Sequence, residues 1–173
     1  MAKSDTTSVN RKSDIISAAI AIFAEVGYFR ATTAQVAERA SISQPYVFRF
    51  FATKEALLLA ALEASWNRVI ESFRKVVETT APELLETELV QEYVNIQMKY
   101  ENEMLLQMQA QTIRETAIQQ TMRSAYKEIR DLVLTAFRDA GVENAEERSM
   151  LFLARGVLCN VAVAINLPEL MKG

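Results

Sequence analysis

The chain has 173 residues, half of them hydrophobic, with four Gly, three Pro, one Cys, no His and a net charge of −3. So few glycines and prolines leave little room for a turn-rich β architecture. Cys159 alone cannot form an intramolecular disulfide and suits a reducing compartment, and the lack of histidine removes the commonest general base and metal ligand.

The length fits one domain, or a small headpiece on a larger core. The first residues, MAKSDTTSVNRKSD, lack the apolar stretch of a signal peptide and read as a flexible arm. A helix is expected from Arg11 to Tyr28, with Ile15, Ala19, Ile22, Phe23 and Val26 at helical spacing and Gly27 as its C-terminal cap. Charge is uneven along the chain. Residues 1–54 hold seven Lys/Arg against four Asp/Glu, and the remainder twelve against eighteen. A basic headpiece on an acidic body is the asymmetry expected of a DNA-binding unit joined to a regulatory one.

The stretch from Thr32 to Lys54, TTAQVAERASISQPYVFRFFATK, holds two short helical patterns. Thr32 with Gln35 makes a capping-box start, and Val36, Ala37 and Ala40 follow as an apolar stripe. Ser41-Ile42-Ser43 breaks the pattern, with Ile42 plugging the core. Ser43 is the next cap, Pro45 sits in the first turn where its missing N–H costs nothing, and Val47, Phe50 and Phe51 point inward. This is the punctuation of a helix-turn-helix, whose second helix enters the DNA major groove. Its first turn holds Gln44, Pro45 and Tyr46. Gln44 suits adenine, Pro45 suits a thymine methyl, and Tyr46 offers a ring and a hydroxyl. Arg49, one turn on, reaches either guanine or phosphate.

Thr53 then caps a long fourth helix lined by Leu58, Leu62, Trp66, Val69, Phe73 and Val76, which Ala81-Pro82 ends. Leu85 to Tyr100 marks a fifth helix, and Met104 to Ile113 a shorter sixth. Ile118 to Ala136 marks a seventh that closes at Ala140-Gly141, and Glu143 to Asn166 an eighth. The fold class is all-α, with eight helices. Met150 to Leu167 is apolar enough to touch the lower limit of a membrane span, but Arg155, Asn160 and Asn166 interrupt it. It reads instead as a helix buried on more than one side, with helices 7 and 8 and their symmetry mates forming a four-helix dimer interface.

From Arg11 to Leu62 the chain resembles the N-terminal domain of the tetracycline-repressor (TetR) family of bacterial transcription regulators. The resemblance rests on Ile15-Ile16, Ala18-Ala19, Phe23-Ala24-Glu25, Gly27-Tyr28, Thr32-Thr33, Val36-Ala37, Ala40, Ser43, Phe51 and Lys54-Glu55-Ala56-Leu57. It implies a DNA-binding domain over residues 1–54, comprising the arm and a three-helix helix-turn-helix unit. A helical ligand-binding and dimerisation domain would occupy 55–173, dimerising through the last two long helices. It also implies phosphate contacts from Thr33 and Lys54, which join Ser43 and Phe48 as the expected backbone-contact set. The family often has Gly where this chain has Ser41, usually Leu-Tyr at Val47-Phe48, and often His at Phe50. Phe48 therefore lacks the hydroxyl that a tyrosine would offer a phosphate.

The expected partners are double-stranded DNA with a palindromic operator, a second copy of the chain, and a small apolar or amphipathic effector, with no membrane. Trp66, Phe73, Tyr93, Met98, Tyr100, Met104 and Met108 suit an adaptable pocket and suit a helical core equally well. Gln97, Gln107, Arg114, Arg155 and Asn160 are the candidates for buried polar groups that orient a ligand. No cofactor, metal or catalytic residue is expected, because Cys159 lies in an apolar helix with no base to activate it. The reading is a cytoplasmic, ligand-responsive regulator, most simply a repressor. The alternative is a helical small-molecule or lipid carrier with an incidental helix-turn-helix.

Overall fold

A computed structural model describes residues 2–171, with side chains over 10–171; Met1, Lys172 and Gly173 lie outside the described residues. Eight α-helices follow one another: α1 (Ala2–Val26), α2 (Thr33–Arg39), α3 (Gln44–Phe48), α4 (Lys54–Thr79), α5 (Leu85–Lys99), α6 (Glu101–Ala110), α7 (Thr116–Asp139) and α8 (Ala145–Ala164). Short 3-10 turns precede α5 (Pro82–Leu84) and follow α8 (Pro168–Met171). There is no strand among the described residues.

The long α4 is the axis of the molecule and packs against α1, α5, α6 and α7. Leu57, Leu58, Ala61, Leu62, Ser65, Trp66, Val69, Ile70 and Phe73 are buried along it, an apolar band wide enough to meet neighbours on several sides. Helix α1 presents Ile15, Ala18, Ala19, Ile22 and Phe23 to the same core. Helix α6 lies on both α1 and α4. Gln109 Nε2 donates to the Ala24 carbonyl at 2.8 Å, and Gln107 Nε2 to the buried Ser65 Oγ at 3.1 Å.

Several boundaries differ from expectation. Helix α1 starts at Ala2, so the segment expected as a flexible arm is helical, since adding residues to an existing helix costs far less than starting one. Helix α4 stops at Thr79, and Ala81 is extended before Pro82 (φ −63°, ψ 145°), as a residue preceding proline must be. Ile113 lies in the turn after α6, buried, and α8 is a residue or two shorter at each end. Within the single chain one side of α8 is left uncovered. Met150, Leu151, Val157, Leu158 and Ile165 are exposed, while the outward face of α7 carries Arg123, Lys127, Glu128, Arg130 and Asp131. No helix among the described residues is long and apolar enough to cross a membrane.

Candidate nucleic-acid interface and ligand cavity

Helix α2 begins with a complete capping box. Gln35 N–H donates to Thr32 Oγ1 at 3.2 Å, and Thr32 N–H to Gln35 Oε1 at 2.9 Å. It ends in a Schellman motif, with Ile42 N–H on the Ala37 carbonyl (2.9 Å) and Ser41 N–H on Glu38 (3.0 Å). That motif needs a left-handed residue, and Ser41 supplies it at φ 54°. The same bond pair closes α7 at Gly141 (φ 70°) and α8 at Asn166 (φ 52°). Among the three, Ser41 is the residue least suited to the conformation.

Helix α3 is a short rod whose N-cap, Ser43, makes no side-chain cap bond. Val47 and Phe51 are buried, whereas Gln44, Pro45, Phe48 and Arg49 are exposed. Positions 44, 45, 48 and 49 fall on one face of the helix, pointing away from the core. Tyr46 is half-buried on the flank, edge-on to Phe50 (5.4 Å between ring centres), with the Arg49 guanidinium over its ring at 5.2 Å. Gln44 is partly tied back, as its Nε2 donates to Thr33 Oγ1 at 2.8 Å, leaving its carbonyl oxygen and one amide proton for a partner. Thr33 itself is buried, so its hydroxyl serves this internal bond.

Lys54 is turned inward. Its ammonium donates to the carbonyls of Tyr28 (2.8 Å), Ala31 (3.0 Å) and Phe29 (3.4 Å), and it lies 4.6 Å from the Tyr28 ring centre. All three of its donors are thus engaged on the turn after α1. Arg39 and Glu25 form a two-pronged pair at 2.8 and 2.7 Å that ties α2 to α1 and holds the Glu25 carboxyl below the usual carboxylate range. Arg30 and Arg49 form no ion pair among the described residues, so they supply positive charge at this end of the molecule.

The helical body holds a groove of about 560 Å³ between α5 and α8, roofed by the final 3-10 turn. Val90, Val94, Met98, Phe152, Ala162 and Val163 make its walls apolar, while Gln97, Glu101, Arg155 and Asn166 add polar groups. Asn160 Oδ1 accepts from Tyr93 Oη (2.8 Å) and Gln97 Nε2 (2.6 Å), a buried polar junction beside the groove. Burial pushes the Tyr93 phenol up. It also raises the Cys159 thiol, against the pull of Arg155, which leaves a poor nucleophile. A second, small void of about 30 Å³ lies deeper, against Trp66, Val69 and Phe73 of α4 and Tyr126 of α7.

Of the seven pocket candidates, Tyr93 and Met98 line the groove, and Trp66, Phe73 and Tyr93 line the deeper void. Tyr100 lies instead beneath the Arg68 guanidinium, 4.2 Å from its ring centre. Met104 and Met108 line neither space; Met104 is buried among the helices. Of the polar candidates, Gln97, Gln107 and Asn160 are buried, and Arg114 and Arg155 are exposed, a correction that follows from the cost of burying an unpaired guanidinium. Gly156, a small residue on α8 that permits close approach of another helix, meets α5 here. A Cβ on it would meet the Tyr93 ring at 3.2 Å, and no local pattern announces a contact between helices so far apart in sequence.

Residues 15–61, which contain α2, the turn and α3, match the family described as bacterial regulatory proteins, tetR family. This segment is a TetR-family domain. A curated relative, the HTH-type transcriptional activator FasR of Mycolicibacterium smegmatis, is 30% identical over 70 residues, which is 40% of this chain and 32% of FasR. The match thus spans about a third of that relative's length. Among solved structures, a TetR transcription regulator from Haloarcula marismortui superposes with a TM-score of 0.78 at 24% identity, covering 95% of this chain and 92% of the other. The transcriptional regulator FadR of Bacillus subtilis, solved in complex with stearoyl-CoA, gives 0.76 at 14% identity, covering 89% and 88%. At these identities the likeness is one of fold. In this segment the left-handed turn residue is Ser41, where the TetR family often has glycine, and the Schellman geometry explains that preference.

Proposed function

We propose that the protein is a homodimeric regulator of transcription that binds a palindromic operator through α3 and leaves it when an apolar or amphipathic small molecule occupies the helical body. The outward face of α3 carries this reading: Gln44, Pro45, Phe48 and Arg49 stand exposed on a helix that follows α2, itself capped at both ends. Gln44, Pro45, Tyr46 and Arg49 are the base contacts in this reading, with Thr33, Ser43, Phe48 and Lys54 nearest the backbone. Lys54 reaches a phosphate only by giving up a carbonyl, the one at 3.4 Å being the weakest held. Residues 1–54 form the DNA-binding domain and 55–173 the ligand-binding and dimerisation domain. The exposed apolar face of α8 is the surface that a second copy covers.

The test is selection of genomic DNA fragments by the purified protein at two salt concentrations. A palindrome with half-sites about 34–36 Å apart, or a multiple of that, is the expected product. Gln44→Ala should relax base preference, weakening operator binding by roughly 1–3 kcal/mol if the amide pairs with a single base. Retention that is weak and blind to sequence would return the protein to the carrier reading. The sign of regulation has a second reading, activation, because the curated relative matched over 70 residues is an activator. Reporter expression from the selected site, with and without the protein, separates the two.

A further inference from the structure

The groove and the deeper void are separate spaces that share three wall residues, Tyr93, Phe152 and Gly156. Tyr93 stands between them. Its ring lies against Gly156, where a Cβ would come within 3.2 Å, and its edge meets Phe73 of α4, 6.0 Å between centres. One hydrogen bond, to Asn160, holds the phenol in place, and Asn160 keeps its bond from Gln97 if that one is broken. The side chain is therefore tethered at its tip, unobstructed by a β-carbon on α8, and backed by a space too small for more than a water or two. Swinging it aside would join the groove to the void and add the volume of the ring itself.

We propose that Tyr93 is a gate that sets a chain-length threshold for the effector: a single-chain anionic amphiphile lies in the groove, and only a tail long enough to pass Tyr93 reaches α4. This rests on the reading of the helical body as an effector site. The groove walls are apolar, and its two charged lining residues, Glu101 and Arg155, form no ion pair among the described residues; Arg155, beside Gly156, is the group that an anionic head would meet. A short tail stays in the groove. A long one displaces the ring and enters among Trp66, Val69 and Phe73.

Trp66 is the single tryptophan of the sequence and lines the void, so its fluorescence reports entry without any operator DNA. The full chain is titrated with octanoate and palmitate, each brominated at the terminal carbon because bromine quenches tryptophan on contact, and binding is measured in parallel by equilibrium dialysis. Both should bind, with palmitate quenching at least half of the emission and octanoate little. Tyr93→Phe, which removes the tether, should tighten palmitate several-fold and leave octanoate unchanged. Gly156→Val, which fills the passage, should abolish quenching by palmitate while octanoate still binds. Binding of both with equal quenching, or with none, overturns the gate and leaves the effector site standing. Binding of neither removes both. Binding that weakens as the protein is concentrated would place a second copy of the chain in the groove and also overturn the proposal.

Discussion

The segment α1–α3 and the body beyond it are held together by different kinds of bond. Around the helix-turn-helix the caps join near neighbours, Thr32 with Gln35, Ser41 with Glu38, Ile42 with Ala37 and Thr53 with Ala56, and the longer ties of Gln44, Arg39 and Lys54 span 11 to 26 positions. In the body the polar bonds join residues far apart in the chain. Tyr93 and Asn160 are 67 positions apart, Gln97 and Asn160 63, Ser65 and Gln107 42, and Arg68 and Glu103 35. Local caps fix the shape of a small unit whatever happens elsewhere. The body depends on its whole packing to keep its polar groups satisfied, and the groove and the deeper void lie within that packing. The locally capped part suits a fixed surface, and the part that encloses space suits an occupant.

The contrast can be broken most directly at Phe73, which is 1% exposed and touches both Tyr93 and Phe152. Phe73→Ala should cost about 3–5 kcal/mol in urea unfolding. Hydrogen exchange should show protection falling mainly in α4, α5, α7 and α8. An equal fall in α2 and α3 would make the molecule one cooperative unit and end the comparison. Next in size, Asn160→Ala leaves the Tyr93 and Gln97 donors without their acceptor and should cost about 2 kcal/mol, again read in the body.

On the other side, Thr32→Ala should cost about 1 kcal/mol, with exchange quickening at the start of α2 and little change in α5. Ser41→Gly should stabilise by roughly 0.5–1 kcal/mol, because it relieves a left-handed serine and gives back part of that gain as chain entropy. The smallest effect is on pH. The Arg39 hydrogen bond lowers the folded-state pKa of Glu25, so the tie between α1 and α2 is present at neutral pH and is lost as pH falls through that lowered value. The difference in urea midpoint between the wild type and Arg39→Gln should shrink to nothing in acid.

What was legible in the sequence follows the same division. Capping is a matter of three or four residues, so Thr32, Gln35, Ser43, Thr53 and Gly27 could be placed from the letters alone, and the helices they bound appear in order. The long-range bonds carry no such mark. Nothing near Gly156 says that a ring from α5 lies on it, and nothing near Lys54 says that its charge turns onto carbonyls more than twenty residues back. The pocket candidates show the same limit. Tyr93 and Met104 read alike as apolar positions on successive helices, yet one lines both cavities and the other neither. Only the pairing of α5 with α8 distinguishes them. The apolar character of α8 on both sides was legible, but not its partner: such a helix looks the same whether its second side meets the same chain or another.

Lys54 also has a mechanical consequence. It is the first residue of α4, and its ammonium is fastened to the turn that ends α1, which makes this point a fulcrum. Phe73 lies roughly 28 Å farther along the same rod. An ångström of sideways travel there corresponds to a tilt of only about 2° at the pin, by the same rise per residue. A lever so long turns a displacement the size of a bond length into a rotation that the headpiece, clamped by its caps, must follow as a whole.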